Sequence, residues 1–420
     1  MNRKISILIV LLLLATGFSL TREGTSSHIK RGPTRDYGDF EMDMDLSQIS
    51  DGSFIGEAGN DHSGRSVAGV GDVNGDGYDD ILIGAYNNDE GGNGAGQIYL
   101  IFGRETDFDM DMDLSDVDAS FIGEEVGDYS GISVSGAGDV NGDGFHDILI
   151  GAYSNEEGGG NITGQTYIIF GKETGWSNDT SLENSDASFI GEKEYDYSGR
   201  DVAGAGDVNG DGYDDIIISA YGNDEGGNNS GQTYLIFGKE TGWSMDTGLE
   251  NVDASFLGEH SSSWSGYSIS GSGDVNGDGY DDILISTPYD NEGGYRSGQT
   301  YLILGKSSGW SMDVNLTKAD ASFKGEDAND LSGFSVAGAG DVNGDGYDDI
   351  LIGAPYDEDG GNNAGQTYLI LGKASGWSMD TILGSADASF IGDDSDDHSG
   401  WSVSGAGDVN GDGYDDILIG

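Results

Sequence analysis

The stretch Asp72-Val-Asn74-Gly-Asp76-Gly-Tyr78-Asp79-Asp80 decides the fold of this chain, because it recurs six times with almost no change. Successive copies start 67, 68, 67, 67 and 67 residues apart. The six copies begin at Asp72, Asp139, Asp207, Asp274, Asp341 and Asp408. A uniform period that nearly fills 420 residues indicates one repetitive architecture rather than several unrelated domains.

The composition of this nonapeptide is typical of a metal-binding loop. Oxygen ligands at positions 1, 3 and 5, a glycine at position 6 for a sharp turn and a carbonyl at position 7 suit a hard cation such as Ca²⁺. Position 9 is Asp in every copy, whereas position 8 is Asp79 in the first copy and His146 in the second. We therefore interpret position 9 as a ligand and position 8 as facing solvent.

The alternative is a turn in which Asp and Asn side chains cap their own backbone. Three carboxylates that would repel one another without a cation, repeated in six copies, favour the metal site. The sequence thus predicts one calcium site in each repeat. The predicted ligands are Asp72, Asn74, Asp76, Tyr78 and Asp80; Asp139, Asn141, Asp143, Phe145 and Asp147; Asp207, Asn209, Asp211, Tyr213 and Asp215; Asp274, Asn276, Asp278, Tyr280 and Asp282; Asp341, Asn343, Asp345, Tyr347 and Asp349; and Asp408, Asn410, Asp412, Tyr414 and Asp416.

The segments between the loops predict β-strands. An EF-hand would need a Glu at position 12 and flanking helices, but position 12 is Ile83 in the run Ile81-Leu82-Ile83, typical of a buried strand. Each period contains four short apolar or alternating runs; in the second repeat these are residues 120–123, 132–135, 147–150 and 165–170. Four strands per repeat favour an all-β fold, a β-propeller of four-stranded antiparallel blades.

The last repeat is shorter than the others, since the chain stops at Gly420, directly after its predicted third strand. The earlier repeats continue to a further strand that contains Gln97, Gln165, Gln232, Gln299 or Gln366. We expect six repeats, the last one incomplete, within a longer ring. The alternative is a closed six-bladed disc in which residues 40–46 pair with residues 416–420.

The segment from Gly64 to Ala85 resembles the FG-GAP repeat of the integrin α-subunit N-terminal propeller, and Gly353-Ala354-Pro355 reproduces the GAP triplet. The resemblance covers roughly residues 40–420. It departs where the Phe of the FG pair is Ser, and most copies have Gly-Ala-Tyr in place of Gly-Ala-Pro. The resemblance implies a seven-bladed, calcium-binding propeller in an extracellular protein of recognition or adhesion.

The N-terminal residues predict the cellular location of the chain, and its charge excludes some classes of partner. Residues 1–19 form a basic start followed by a short apolar run, typical of a signal peptide, and we divide the rest into a linker, 20–39, and the propeller, 40–420. The alternative for residues 1–19 is a membrane anchor that is not cleaved. A secreted or cell-surface location also agrees with the presence of four N-glycosylation sequons, at Asn161, Asn178, Asn228 and Asn315. The absence of Cys means that disulfides do not stabilise the fold. A formal net charge of −60 excludes nucleic acid as a natural partner, and no membrane span beyond the signal segment is expected.

The alternation of strand direction predicts two different faces. The metal loops and the connections that contain Trp176, Trp243, Trp310 and Trp377 should share one face, with the Trp side chains packed between blades. The other face should collect acidic, glycine-rich loops and a variable residue before each Ser-Gly pair. That residue is His62, Tyr129, Tyr197, Trp264, Leu331 or His398. Variable positions in a regular array are candidates for recognition, although they could merely cap the strands.

The chain shows no pattern of catalytic residues, and we expect a protein that is not an enzyme. The five histidines do not recur in register, and the Ser of Gly305-Lys-Ser307-Ser-Gly309 is replaced in the equivalent segments. We favour a calcium-binding adhesion or recognition module with an extracellular protein or glycan ligand. The alternatives are an accessory propeller of an exported hydrolase, similar to glycosylphosphatidylinositol phospholipases, and a structural component of a surface or matrix.

Overall fold

The computed structural model describes residues 52–106, 108–156 and 161–420, and this part of the chain is built from short β-strands. In chain order the strands are β1 (Phe54–Ile55), β2 (Ser66–Gly71), β3 (Asp80–Ala85), β4 (Gln97–Ile101), β5 (Met112–Asp113), β6 (Ala119–Ile122), β7 (Ser133–Gly138), β8 (Asp147–Ala152), β9 (Gln165–Ile169), β10 (Thr180–Ser181), β11 (Ala187–Ile190), β12 (Val202–Gly206), β13 (Asp215–Ala220), β14 (Gln232–Ile236), β15 (Thr247–Gly248), β16 (Ala254–Leu257), β17 (Ile269–Gly273), β18 (Asp282–Thr287), β19 (Gln299–Ile303), β20 (Val314–Asn315), β21 (Ala321–Lys324), β22 (Ser335–Gly340), β23 (Asp349–Ala354), β24 (Gln366–Ile370), β25 (Thr381–Ile382), β26 (Ala388–Ile391), β27 (Val403–Gly407) and β28 (Asp416–Ile419).

The strands form successive blades of four antiparallel strands each, which confirms the predicted all-β propeller architecture. The blades are β2-β3-β4-β6, β7-β8-β9-β11, β12-β13-β14-β16, β17-β18-β19-β21 and β22-β23-β24-β26, followed by the pair β27-β28. The innermost strands of neighbouring blades lie against each other, from β2 beside β7 through to β22 beside β27. The number of blades in the ring stays a prediction.

The structure corrects where one blade ends and the next begins. Residues 120–123 were predicted to start the second blade, but Ala119–Ile122 pairs antiparallel with Gln97–Ile101 and is the outer strand of the first blade. The strand that contains Gln97 is therefore the third of its blade, and the pair β27-β28 supplies the first two strands of the sixth. A repeat length read from sequence is the same for any starting point, so the period alone could not place this boundary.

Short elements on the connections tie neighbouring blades together. The two-residue strand β10 follows β9 of the second blade but pairs in parallel with β6 of the first, Thr180 opposite Phe121. The strands β15, β20 and β25 repeat this arrangement, and β5 pairs in parallel with β1 in the same way. Each is followed by a single 3₁₀ turn, and these turns are Leu114–Asp116, Leu182–Asn184, Leu249–Asn251, Leu316–Lys318 and Leu383–Ser385. The leading Leu of each turn is buried.

The core lies between blades rather than within one blade. The second strand of each of the first five blades is buried along its whole length, and so is the third. One cluster joins Val70 and Leu82 of the first blade to Val134, Ile148 and Tyr167 of the second, and similar clusters follow around the array. Burial of these apolar faces is the main stabilising term available to a chain without disulfides.

Three of the predicted segments lie outside the described residues, namely the signal peptide at 1–19, the linker at 20–39 and the segment 40–46. Within the described part of the chain, no helix has the length and apolar character needed to cross a membrane.

Candidate metal loops and the opposite aromatic face

Each predicted metal loop connects the first and second strands of a blade. A β-bulge precedes it: Gly69 pairs with Ile81 and Gly71 with Asp80, so the register shifts by one residue just before the loop. Gly71 adopts a φ of 69°, which favours glycine, and turns the chain out of the sheet. The same shift recurs before the other loops that pair first and second strands.

Hydrogen bonds inside the loop hold its ligand side chains in one compact turn. The Asp72 carboxylate accepts from the backbone N–H of Gly77 at 2.8 Å and of Asp76 at 3.1 Å. Asn74 Oδ1 accepts from the Asp76 N–H at 2.8 Å, and Asp76 Oδ1 accepts from the Tyr78 N–H at 3.0 Å. The bond from position 6 to the Asp at position 1 recurs in all the later copies.

Position 9 lies deeper than the other predicted ligands. Asp80 is fully buried, and its carboxylate accepts from the N–H of Val73 at 2.9 Å and of Gly103 at 2.8 Å. Burial raises the pKa of Asp80 to about 7, and the negative charges of Asp76 and Asp72 add to the increase. The same causes raise the pKa of Asp147 and Asp215 to about 8, of Asp282 to about 7 and of Asp349 to about 6.

The donor chemistry of these loops fits calcium. Three carboxylates, one amide oxygen and one main-chain carbonyl form an all-oxygen set, which a hard cation prefers. The carboxylates currently accept hydrogen bonds from their own loop, and in the described residues no loop brings three of them within 4.8 Å of one another. A carboxylate keeps lone pairs beyond those that accept these hydrogen bonds, so ligation would need only that the three groups move closer together around the ion. A bound divalent ion would offset their mutual repulsion and hold the hairpin.

Position 8 does not face solvent in most copies, so that prediction was wrong for them. Asp214 Oδ2 accepts from the backbone N–H of Asp139, the first residue of the preceding loop, at 2.7 Å. Asp281, Asp348 and Asp415 make the equivalent bond at 2.8–2.9 Å. Asp79 and His146 are exposed, as predicted. Position 8 thus links neighbouring loops, a contact between residues about one repeat apart.

The side chain at position 7 has a role that its sequence did not predict. The Tyr280 ring lies against Gly210 of the preceding loop, where an added Cβ would come within 2.5 Å of Tyr280 Cε1. Phe145, Tyr213, Tyr347 and Tyr414 cover the equivalent glycine in the same way. The aromatic character of position 7 in every copy was the available signal. The side chain at position 7 thus packs neighbouring loops together, and the main-chain carbonyl of the same residue remains the predicted ligand.

The tryptophan connections lie on the same face as the metal loops, and their packing between blades is confirmed. Trp176 meets the rings of Phe102 and Phe121 of the preceding blade edge-on, at centroid distances of 6.0 and 6.3 Å. Its Nε1 donates to the main-chain oxygen of Lys172 at 2.8 Å, and the Lys172 ammonium lies 4.7 Å from the ring centroid. Trp243, Trp310 and Trp377 pack in the same manner.

The opposite face carries a continuous row of rings, which we call the aromatic array. Tyr129 stacks on Tyr153 at 5.9 Å, Tyr153 contacts Tyr197 at 6.1 Å, and Tyr197 stacks on Tyr221 at 5.3 Å. The rings alternate between the connection before the first strand of a blade, as at Tyr129 and Tyr197, and the residue after its second strand, as at Tyr153 and Tyr221. The array comprises His62, Tyr86, Tyr129, Tyr153, Tyr197, Tyr221, Trp264, Tyr267, Tyr289, Phe334, Trp401, Tyr356 and His398.

The sequence identified only part of this array. Five of the six variable residues before Ser-Gly belong to it, whereas Leu331 is aliphatic and the row continues instead from Tyr267 through Phe334 to Trp401. The rings after the second strand, such as Tyr153, and those after Ser-Gly were missed. All six variable residues have φ between 53° and 58°, so a strained backbone conformation recurs at this position in every copy.

Charge surrounds the aromatic array unevenly. Exposed acidic residues of the glycine-rich loops, such as Asp89 and Glu90, lie on this face. Two guanidinium groups approach the rings: Arg200 lies 5.9 Å from the Tyr267 centroid and Arg296 lies 5.3 Å from that of Tyr289. The array therefore already makes cation–π contacts with this chain's own side chains.

The chain matches the family model described as FG-GAP repeat in six segments, residues 63–101, 130–169, 198–236, 265–303, 332–370 and 399–420. Together the segments cover more than half of the chain. Each complete segment begins at the Ser-Gly pair and includes the first three strands of a blade with the metal loop between the first two.

Several curated proteins are similar to this chain. It is 32% identical over 260 residues to Integrin alpha pat-2 of Caenorhabditis briggsae, a match that covers 60% of this chain and 20% of that protein. It is 31% identical over 221 residues to Integrin alpha-PS2 of Drosophila melanogaster, covering 51% and 14%. It is 30% identical over 231 residues to Integrin alpha-8 of Gallus gallus, covering 53% and 20%. The matched region spans a fifth or less of the length of these relatives.

Proposed function

Because the chain belongs to the FG-GAP repeat family, we propose that it is a calcium-binding recognition module of the adhesion type. In this proposal the six loops bind Ca²⁺ on one face, and the aromatic array on the other face binds an extracellular protein or glycan. The signal-peptide pattern of residues 1–19 supports a secreted or cell-surface location. We propose no catalytic activity for the chain.

The observation that carries the proposal is the continuity of the aromatic array. Its rings come from every described blade and lie on connections rather than in the core. The rings of the array from Tyr86 to Tyr356 in the sequence are half-buried, so their faces are fixed by packing while their outer edges remain accessible. Fixed aromatic faces suit stacking on sugar rings and contact with cationic groups, since neither costs much side-chain entropy.

The metal ions act at a distance in this proposal. Each loop lies at the far end of the strands whose other ends carry the rings, so the ions would stabilise the hairpins without touching the ligand. Direct bridging by calcium to an anionic ligand is the competing mechanism. It predicts that the loops themselves, not the rings, determine binding.

Binding measurements in calcium test both mechanisms. A glycan array and a panel of extracellular matrix proteins would identify a ligand, and the variant Y129A/Y197A/W264A should then lose binding while its calcium-dependent melting is unchanged. The control E240A, an exposed acidic residue on the metal face, should bind normally. Binding that persists in the triple variant and disappears only on mutation of the metal loops would contradict the proposal. Turnover of the bound compound would indicate a hydrolase-associated module, and self-association without a ligand a structural component.

A further inference from the structure

One group of metal-ligating side chains lies outside the calcium loops. Glu259 and His260 belong to the connection between β16 and β17, and Glu292 belongs to the connection between β18 and β19, on the face of the aromatic array. His260 Nε2 lies 3.9 Å from Glu259 Oε1 and 3.9 Å from Glu292 Oε2. Within the described residues this is the one set of three His, Cys, Asp or Glu ligand atoms that all lie within 4.8 Å of one another.

Two neighbours orient these ligands. The buried carboxylate of Asp290 lies 2.8 Å from His260 Nδ1, and an ionised carboxylate can only accept, so Nδ1 carries a proton. Nε2 faces the two glutamates, and on losing its proton to a metal ion it would present its lone pair between them. Tyr301 Oη donates to Glu259 Oε2 at 3.0 Å, which leaves Oε1 for the cluster. A carboxylate behind the imidazole of a ligating His is a recurrent feature of metal sites.

The preceding blade shows what these positions do without the histidine. At the positions of His260 and Glu292 it has Lys193 and Glu225, which form a direct ion pair. The change from Lys to His replaces a permanent cation with a group that can donate a lone pair. The position varies among the six copies, and only the fourth has a histidine there; the residues are Ala58, Glu125, Lys193, His260, Asp327 and Asp394.

Two further changes accompany the histidine. The position of Asp290 is Asn223 in the preceding blade, where the amide donates to the buried Asp196 at 3.0 Å. The position of Asp196 is Ser263 in the histidine-containing blade, and Ser263 Oγ donates to the main-chain oxygen of His260 at 2.7 Å. The buried carboxylate has thus moved from one connection to the other, to the place where it can hold the His260 ring.

We propose that Glu259, His260 and Glu292 bind a divalent transition-metal ion such as Zn²⁺. Imidazole nitrogen with carboxylate oxygens suits Zn²⁺ rather than Ca²⁺, and three protein ligands leave a fourth position for water or for a group of a bound partner. Ligands about 2.1 Å from a tetrahedral ion lie about 3.4 Å apart, so the observed 3.9 Å needs only small shifts. Glu292, with 40% of its side chain exposed, is free to make them.

The test measures Zn²⁺ binding with the calcium loops saturated. Equilibrium dialysis of the chain in ~10 mM Ca²⁺, a level far above the affinity range of such loops, should show one tightly bound Zn²⁺, and Co²⁺ substitution should give the visible absorption of a tetrahedral site. His260→Lys restores the ion pair of the preceding blade and should weaken Zn²⁺ binding at least 100-fold with unchanged calcium-dependent melting. Asp290→Asn removes only the orienting carboxylate and should weaken binding about 10- to 100-fold.

A variant that introduces the proposed zinc site into the preceding blade provides the matched gain-of-function test. The variant K193H/N223D/D196S builds the same residues into the preceding blade beside Glu192 and Glu225, and it should bind two Zn²⁺ per chain. Glu292→Gln provides a second loss-of-function variant should His260→Lys alter the fold. The proposal is overturned if the wild type does not bind one Zn²⁺ per chain, or if the His260→Lys and Glu292→Gln variants bind Zn²⁺ as tightly as the wild type. In that case the cluster is a protonated histidine held by three carboxylates.

Discussion

At the residue scale, two carboxylates of the third metal loop, at positions 5 and 8, make different contacts. Position 5 accepts a hydrogen bond only within its own loop, as Asp211 does from Tyr213 N–H at 3.1 Å. Position 8 bonds instead to the preceding loop, as Asp214 does to Asp139. The proposed metal binding and the contact between blades therefore depend on different carboxylates, three residues apart.

Asp211→Ala should reduce the stabilisation that calcium provides, because it removes a proposed ligand. If a loop binds at a Kd of about 10⁻⁴ M, ~10 mM Ca²⁺ contributes about 2.7 kcal/mol per site. Melting in calcium and in excess chelator measures this difference. Asp214→Ala is the matched control: it should cost about 1 kcal/mol in both conditions, because it removes one hydrogen bond and no ligand. An Asp211→Ala penalty of equal size in calcium and chelator would exclude position 5 as a ligand.

A second residue-scale prediction concerns a pair of carboxylates in the fifth blade. Burial raises the pKa of Asp330 to about 7, and the charge of Asp357 adds to the increase. The folded state therefore binds this proton more tightly than the unfolded state, whose Asp pKa is about 3.9. The resulting stabilisation is present at pH 4 and is lost as the pH rises through 7.

Asp357→Asn should restore the arrangement of the earlier blades, in which Asn155 Nδ2 donates to Asp128 at 3.2 Å. The like-charge repulsion disappears, so the variant should be more stable than the wild type at pH 8 by about 1 kcal/mol, roughly the free energy of one pKa unit. Thermal melts from pH 4 to pH 8 in saturating calcium check this. The gain should shrink towards pH 4, and a gain that is constant across the range would point to a different cause.

At the scale of elements, the hairpin with its loop is the unit that joins one blade to the next. The loop contributes an aromatic ring at position 7 and a carboxylate at position 8 to the preceding loop. The connection after the third strand contributes a tryptophan and a two-residue parallel strand to the preceding blade. Both contacts point in the same direction along the chain, so each blade after the first is held against the one before it.

Two glycines of one loop separate packing between blades from backbone strain. Gly210 and Gly212 both have positive φ, 75° and 92°, but only at Gly210 would a Cβ meet a neighbouring ring, that of Tyr280. Gly212→Ala should cost about 1 kcal/mol for the backbone conformation alone. Gly210→Ala should cost about 1–3 kcal/mol more, because the ring must move. Chemical denaturation measures both, and equal costs would show that the Tyr280 contact contributes nothing.

At the scale of the whole molecule, the array has one chemically uniform face and one variable face. The face with the loops repeats the same loop carboxylates at positions 1, 5 and 9 and an aromatic ring at position 7 in every copy, and a tryptophan connection in the second to fifth blades. The opposite face changes from Tyr to Trp, Leu or His at one position and from Asn to Asp at another. The face with the repeated residues carries the contacts that join the blades. The face with the variable residues carries the proposed ligand and zinc sites.

Removal of calcium should loosen the whole array rather than one blade. Six sites at about 2.7 kcal/mol each give at most about 16 kcal/mol, as large as the stability of an entire domain. Melting in excess chelator should therefore occur at a markedly lower temperature, and the transition should lose cooperativity because neighbouring loops are in contact. Titration back with Ca²⁺ should restore the transition, whereas Mg²⁺ at the same concentration should do so less well, since it dehydrates reluctantly. A melting temperature that chelator leaves unchanged would contradict the proposed role of the loops.

The amino-acid sequence by itself determined the properties that depend on local pattern. The period, the loop ligands as oxygen donors, the strand character of Ile81-Leu82-Ile83 and the alternation of faces all follow from residues close together in the chain. The all-β architecture and the tryptophan packing were predicted correctly for this reason. Whether the loops hold calcium stays a prediction.

Only the tertiary structure decided which distant residues meet. The blade boundary depends on Ala119–Ile122 pairing backwards with Gln97–Ile101, which periodicity cannot reveal because every starting point has the same period. The role of Asp214, the continuity of the aromatic array from blade to blade and the meeting of His260 with Glu292 depend on contacts between residues some 24 to 75 positions apart. Such contacts depend on the angle and spacing between packed blades, which no local pattern of residues encodes.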